Sequence, residues 1–362
     1  MSPLKVLFSG GGTGGHVFPG IAVWRALKEM EPDAGALWLI TDRGESRHLI
    51  AEGIPFVILW VVPLTFKPHS MVFYVTSLFQ ALGEIRRFRP DVCLATGGYA
   101  SVPGALACRW LGIPVVVLET NVVPGKATRL LSRVARAVIV ANEETARALP
   151  QAHAALLGVP IRTEAEVADR TDALRRFGLS TDRTHLLVTG GSLGAVSLNH
   201  AVLEAVGQMP VETRRGLEIL HQTGKEHEVW VRERWAALGV KADVRAFFED
   251  LPQALVASDI VVARAGATTV AEVLAAGRPA LIVPYPHAGA HQTPNAKAAE
   301  AAGAAVVVEE SDPQFAAKFG AALARLLTSP EERAKMAAAA RAAARPTAAA
   351  DVAKFLLRIA GA

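Results

Sequence analysis

Residues 10–16 read Gly10-Gly11-Gly12-Thr13-Gly14-Gly15-His16, with the strand-length apolar run Leu4–Ser9 before them and the helical pattern Val17–Met30 after. A strand that feeds a glycine-rich turn and then a helix directs several backbone N–H groups at one spot, and that spot attracts anions, phosphates above all. Gly10, Gly12 and Gly15 also satisfy the loose GxGxxG spacing of dinucleotide-binding turns. His16 is the residue the pattern leaves over. It either lines the first helical turn or places a titratable group at the mouth of the loop.

Outward from this loop, short apolar runs alternate with helical patterns, which predicts a parallel sheet covered on both faces. The strand candidates are Leu4–Ser9, Ala36–Thr41, Phe56–Val61, Val92–Ala95, Val115–Leu118, Ala137–Val140 and Ala154–Leu157. Ligands of such sheets bind beyond the carboxyl ends of the strands. The loops after the first, fourth and fifth strands carry the unusual residues: the glycine loop, Thr96-Gly97-Gly98-Tyr99-Ala100-Ser101, and Glu119-Thr120-Asn121. All three are expected on one rim.

After Gly158-Val159-Pro160-Ile161-Arg162 the chain turns polar as far as Thr184, which suits a domain boundary. A second series then opens with the same device: the strand His185–Thr189, the loop Gly190-Gly191-Ser192-Leu193-Gly194, and the helix Ala195–Gly207. Strands follow at Glu218–His221, Val244–Phe247, Ile260–Ala263, Ala280–Val283 and Ala305–Val308. The expectation is an α/β fold of two facing Rossmann-like domains, residues 1–160 and 161–345, with a cleft between them. Pro346 breaks the Ala-rich tail, and an amphipathic helix at Asp351–Ile359 is expected to return residues 346–362 to the first domain.

Composition narrows the function classes. Half of the 362 residues are hydrophobic and the net charge is only +4, too little for a dedicated nucleic-acid surface but suited to anionic substrates or an anionic lipid surface. Cys93 and Cys108 lack metal or redox spacing and read as buried thiols in a reducing compartment. Strand residues begin directly after Met1 and no apolar run is long enough to span a bilayer, so a cytoplasmic protein is expected. The segment from Leu64 to Phe88 is unusual. Val72, Val75, Leu78, Phe79 and Leu82 form one stripe expected to face the core, while Met71, Phe73 and Tyr74 make the first turns apolar all round. Leu64, Phe66, Lys67, Phe73 and Tyr74 are therefore either a helix start buried under a loop or a patch that rests on an anionic bilayer.

Three stretches of the second half carry chemistry. The GGSLG loop offers backbone donors and the Ser192 hydroxyl at a helix N-terminus, a phosphate cradle or simply a tight turn. In Arg264-Ala265-Gly266-Ala267-Thr268-Thr269-Val270-Ala271-Glu272, the two threonines fall at a helix start, with Glu272 one turn on. Glu272 is either a ribose-binding carboxylate or, with Thr269, half of a capping box. Gln292 and Asn295 lie one turn apart and can read sugar hydroxyls; His287 and His291 have no third ligand, and no metal is expected.

GGGTGGHVFPG, ATGGYAS, GGSLGAVSLN, LHQTGK and RAGATTVAEVLAAGRPALIVPYPHAGAHQTPNA together resemble the bacterial transferase family that adds N-acetylglucosamine to undecaprenyl-pyrophosphoryl-MurNAc-pentapeptide in peptidoglycan synthesis. The resemblance runs from residue 4 to about residue 310. It implies a GT-B fold without a required metal or cofactor, the donor UDP-GlcNAc on the second domain, the lipid-linked acceptor on the first, and a peripheral enzyme at the cytoplasmic face of the membrane. Position by position it implies that Ser192 and its loop hold the donor diphosphate with Arg162 nearby. It puts the Phe248 backbone on the uracil edge, and Ala267, Thr268, Thr269, Val270, Ala271 and Glu272 around ribose and phosphates. Gln292, helped by Asn295, would contact GlcNAc hydroxyls. Thr13, Gly14, Gly15 and Asn121 would reach the donor sugar from the first domain; Gly12, Thr96, Gly97, Gly98, Tyr99 and Glu119 would bind the acceptor, and His16 would be the general base. The sequence departs from the family's pattern in three places. Leu118-Glu119-Thr120-Asn121 stands for His-Glu-Gln-Asn, His291-Gln292 for Gln-Gln, and Val159-Pro160-Ile161-Arg162 for Asn-Pro-Val-Arg. Two other classes stay in view: a nucleotide-dependent dehydrogenase with Asp42 on the ribose, and a non-catalytic sugar-nucleotide or lipid binder.

Overall fold

The computed structural model describes residues 3–41, 46–62, 68–161, 169–286 and 291–361. The chain forms two compact units, Met1–Arg162 with Arg345–Ala362, and Thr163–Ala344.

The first unit runs β1 (Lys5–Gly10), α1 (Gly14–Met30), β2 (Gly35–Ile40), α2 (Ser46–Ala51), β3 (Phe56–Ile58), α3 (Pro68–Phe88), β4 (Val92–Gly97), α4 (Ser101–Trp110), β5 (Val115–Glu119), α5 (Lys126–Leu131), β6 (Ala137–Val140), α6 (Glu143–Arg147) and β7 (Ala154–Leu156). The second runs α7 (Arg170–Arg176), β8 (Thr184–Thr189), α8 (Val196–Gly207), α9 (Val211–Arg215), β9 (Leu217–Gln222), α10 (Glu228–Ala237), β10 (Lys241–Arg245), α11 (Leu251–Ala257), β11 (Ile260–Ala263), α12 (Ala267–Ala275), β12 (Ala280–Ile282), α13 (Gln292–Ala301), β13 (Ala305–Val307), α14 (Phe315–Thr328) and α15 (Pro330–Ala343). Then α16 (Ala348–Ala360) packs beside α1 in the first unit.

Both sheets are parallel, in the orders β3-β2-β1-β4-β5-β6-β7 and β10-β9-β8-β11-β12-β13. Each is a Rossmann order, in which the strand sequence reverses beside the first strand of the unit. That reversal puts the loops after β1 and β4 side by side, and likewise those after β8 and β11. The central strands are buried on both faces, as parallel sheets require, so their residues read as continuous apolar runs: Val6, Leu7 and Phe8 in β1, and Leu186, Leu187 and Val188 in β8, are all fully buried. One face of the first sheet packs on α1 and α16 through Val17, Ile21, Trp24, Val352 and Leu356. Cys93 and Cys108 are free, buried thiols on the other face.

The strand pattern is as read, with shifts at the edges. β10 lies at Lys241–Arg245, three residues before the expected start, because its register on β9 pairs Lys241 with Glu218 and Arg245 with Gln222. β3 stops at Ile58, and α3 takes over its open carbonyl edge: Gln80 Nε2 donates to Ile58 O (3.0 Å) and Ser77 Oγ to Trp60 O (2.8 Å). These bonds set the rotation of α3 and correct the expected stripe. Ser77, Ala81, Leu82 and Ile85 are buried, with Tyr74 and Leu78 packed beside them, whereas Val72, Val75 and Phe79 are exposed.

Candidate active site

In the first unit the glycine loop is shaped by what lies beneath it. At Gly10 a Cβ would sit 2.2 Å from Thr96 Oγ1, and at Gly11 it would sit 2.5 Å from the Ile40 side chain, so neither position tolerates one. Gly12 has φ +84°, a conformation that L side chains rarely adopt. Thr13 is the N-cap of α1 in extended conformation and makes no side-chain cap bond. Thr13 therefore offers the first-turn N–H groups no side-chain acceptor.

His16, half-buried in that first turn, rests on the neighbouring loop. A Cβ at Gly97 would lie 2.9 Å from His16 Nδ1, and one at Gly98 would lie 3.1 Å from Nε2; the two glycines have φ +103° and +70°. The ring needs a surface without side chains, and ATGGYAS supplies it. Ser101 holds that loop, its Oγ donating to Gly98 O (2.8 Å), and Ser9 Oγ donates to Ser101 O (3.2 Å) from β1. Thr96 is buried under Gly10, and Tyr99 O accepts from Tyr74 Oη (3.4 Å). The expected convergence of the first and fourth loops is thus seen in the contacts of His16.

The third loop plays a different part from the one expected of it. Glu119 is only 4% exposed. Its Oε1 accepts from Asn121 N (2.9 Å) and Nδ2 (3.0 Å), and its Oε2 from Gly125 N (2.9 Å) and Thr128 Oγ1 (2.6 Å). A buried carboxylate with four donors is fully satisfied and builds the loop; Glu119 positions Asn121 instead of meeting an acceptor itself.

In the second unit GGSLG is gripped from the adjacent β9 loop. Gln222, 1% exposed, donates from Nε2 to Gly191 O (2.9 Å) and Thr189 Oγ1 (3.1 Å), while its Oε1 accepts from Phe248 N (2.8 Å). A Cβ at Gly194 would lie 2.0 Å from Thr223 O, and one at Gly224 would lie 2.4 Å from Leu193 O, so the two loops stack backbone on backbone. A relay of donors runs beneath them, Trp235 Nε1 to His221 Nδ1 (3.0 Å), His221 Nε2 to Asn199 Oδ1 (3.0 Å), and Asn199 Nδ2 to Thr223 O (3.1 Å). Burial lowers the His221 pKa to about 3, which keeps the ring neutral and able to accept. Ser192 is exposed at the loop tip, before α8, whose N-cap Ala195 offers no side-chain bond. The Phe248 N–H is engaged by Gln222, so of its backbone only the carbonyl is left to meet a base edge.

The Arg264 stretch is equally constrained. Arg264, 5% exposed, donates to Val283 O (3.1 Å) and Ser197 Oγ (2.7 Å), and pairs with Glu310 (2.6 Å). The N-cap of α12 is Gly266, so Thr269 lies inside the helix and the capping box with Glu272 does not form. Glu272 and Thr268 are buried, and Thr268 Oγ1 has no hydrogen-bond partner among the described residues. Ala267, Thr269 and Ala271 are half-buried around the same helix start, while the Val270 side chain belongs to the core and its N–H donates to Gly266 O (2.9 Å). Gln292 Oε1 accepts from Ala265 N (3.1 Å) and Tyr285 N (2.9 Å), and the buried Asn295 donates to Ala265 O (3.1 Å). Asn295 therefore braces the turn through its Nδ2. Arg162, Asp42, His287, Leu64, Phe66 and Lys67 lie outside the described residues.

Phe73 is exposed, while Tyr74 turns inward, and burial together with Tyr99 beside it pushes its hydroxyl up to about 12. Sequence reading missed Gln222, which stood out only within LHQTGK, and the exposed apolar set Trp60, Val72, Val75 and Phe79.

The sequence matches the glycosyltransferase family 28 N-terminal domain over residues 6–140 and the family 28 C-terminal domain over residues 185–352. It is 42% identical to the UDP-N-acetylglucosamine–N-acetylmuramyl-(pentapeptide) pyrophosphoryl-undecaprenol N-acetylglucosamine transferase of Sorangium cellulosum (strain So ce56), covering 99% of this chain and 89% of that one. It is 39% identical to the transferase of the same name from Pseudomonas paraeruginosa (strain DSM 24068 / PA7), over 98% and 99% of the two chains. The crystal structure of Acinetobacter baumannii MurG superposes with a TM-score of 0.77 at 30% identity, covering 98% of this chain and all of that one. Matched through both of its Rossmann-like units, the chain belongs to glycosyltransferase family 28.

Proposed function

We propose that this chain is the inverting glycosyltransferase that moves GlcNAc from UDP-GlcNAc to undecaprenyl-pyrophosphoryl-MurNAc-pentapeptide. The observation that carries the reading is near-full-length identity of 36–42% to transferases named for that reaction.

The donor half of the reaction belongs to the second unit. GGSLG and the α8 N-terminus take the diphosphate, with Ser192 beside it. The Phe248 carbonyl accepts from the uracil N3–H, Glu272 accepts from ribose hydroxyls, and the Thr268 hydroxyl donates to a phosphate oxygen. The Gln292 amide nitrogen meets the sugar, since its carbonyl oxygen is engaged. The acceptor half belongs to the first unit, with Gly12 to Gly15 and the Thr96–Tyr99 loop on the diphosphate and sugar. Inversion needs the acceptor hydroxyl behind the anomeric carbon. As the new C–O bond forms, His16 takes the hydroxyl proton, and the bond to UDP breaks with its electrons on the departing phosphate. A substrate anchored in a bilayer is reached from its surface, and Val72, Val75 and Phe79 form an exposed apolar stripe of α3, with Phe73 and Trp60 also exposed, that suits insertion into the surface of a cytoplasmic leaflet. No described helix is long and apolar enough to cross a membrane.

Release of UDP from UDP-GlcNAc tests the reading. It is expected only when the lipid-linked acceptor is present; release without acceptor, or none with it, overturns it. Flotation with anionic liposomes tests the surface: Phe79→Ser is expected to float less than wild type, and equal flotation counts against this face.

A further inference from the structure

Thr41 follows β2 at the carboxyl rim, next to the strand that feeds the glycine loop. It is 6% exposed, and its Oγ1 is buried with no hydrogen-bond partner among the described residues. A buried hydroxyl without a partner costs a fold stability, and native folds seldom keep one without a reason.

The neighbours of Thr41 supply the reason. A Cβ at Gly11 would lie 2.9 Å from Thr41 O, so the loop rests directly on the Thr41 backbone. At Gly12 the volume a side chain would fill is walled by two hydroxyls, Thr41 Oγ1 at 3.5 Å and Tyr99 Oη at 3.9 Å from the Cβ position. Just beyond it begins α1, a 17-residue helix whose N-cap makes no side-chain bond. A helix N-terminus favours negative charge, and the Gly12 slot is a place where a ligand oxygen can enter in place of a side chain.

We propose that Thr41 is an anion-binding residue whose Oγ1–H donates to a phosphate oxygen seated over Gly12. In the transferase reading, on which the identity of the ligand rests, that oxygen belongs to the acceptor diphosphate. Thr41 thereby acts on acceptor use and not on the donor.

Thr41→Val removes the hydroxyl at nearly constant shape, and Thr41→Ser keeps it. With a short-chain polyprenyl-pyrophosphoryl-MurNAc-pentapeptide, Thr41→Val is expected to raise the acceptor KM about tenfold or more, the scale of a lost hydrogen bond to a charged group, and to leave the UDP-GlcNAc KM unchanged. Its Tm is expected to equal or exceed that of wild type, because no internal bond is broken, and Thr41→Ser is expected to behave as wild type. A role confined to the fold would instead lower Tm and disturb both KM values. An unchanged acceptor KM, or a loss of Tm in Thr41→Val, overturns the proposal. Calorimetric titration with inorganic pyrophosphate in saturating UDP separates it from the functional reading. If the wild type transfers no GlcNAc, the reading fails while weaker pyrophosphate binding by Thr41→Val still supports Thr41; equal binding overturns it.

Discussion

The two glycine loops begin alike and end differently. GGSLG is locked from below: Gln222 holds Gly191 O, Thr223 O abuts Gly194, and a neutral His221 anchors the relay that holds Thr223. GGGTGGH packs closely on Thr96, Ile40 and Thr41 with Trp38 Nε1 donating to Gly10 O (2.8 Å) from below, and its imidazole lies on two bare glycines. The second loop is built as a fixed cradle, suited to holding a diphosphate still. The first carries His16, the group to which the proposed reaction gives the proton transfer. Preorganised donors lower a barrier by being immobile, whereas a base needs an open approach to the hydroxyl it serves.

The sharpest way to break this contrast is His16→Ala, expected to lower kcat by about 10²–10⁴ with little change in donor KM; near-normal turnover removes His16 from the chemistry. Next in size, Leu356→Ala takes a fully buried side chain out of the α16 seat and is expected to destabilise the first unit by about 2–5 kcal/mol. Calorimetry should show that loss while UDP binding, assigned to the second unit, is preserved. Gly97→Ala puts a methyl against His16 Nδ1 at positive φ, and kcat is expected to fall about tenfold with donor KM unchanged. Gln222→Leu is expected to do the reverse: it leaves Gly191 O and Phe248 N without their partner, and the UDP-GlcNAc KM should rise about tenfold with kcat less affected. Equal effects of these two variants on kcat and KM would erase the division of labour.

The second unit also carries a pH dependence. His221 has a folded pKa of about 3 against an ordinary value of 6.5, so the unfolded chain gains a proton that the folded one refuses. Stability from this group is complete above about pH 6.5 and falls by roughly 1 kcal/mol per pH unit as pH drops toward 3. Denaturant melts between pH 7 and pH 5 should show the second unit weakening in that window; a flat profile would mean that His221 is solvated.

Much of this was legible in the residues. Apolar runs and glycine turns give both parallel sheets, because a strand buried on two faces can be written in few ways. His16 was legible as the residue a phosphate loop does not need. Other features depend on strand order and helix rotation, which no local pattern contains. Val72, Val75 and Phe79 keep helical spacing whether they face in or out, and it is the bonds of Ser77 and Gln80 to a strand edge that turn them outward. That Glu119 and Asn295 hold the turns beside them is seen only in their hydrogen bonds. Gln222 gains its role from Phe248, 26 residues away along the chain.

The return of α16 to the first unit bears on how the chain is made. Its seat on α1 and the first sheet stays open to solvent on the ribosome until residues Thr163–Ala344 have been synthesised, roughly ten to forty seconds at about 5–20 residues per second. Throughout that interval Val17, Ile21 and Trp24 form part of an uncovered apolar surface on a nascent chain, a natural landing place for a chaperone. The second unit, continuous in sequence, is free to fold first although it is translated later.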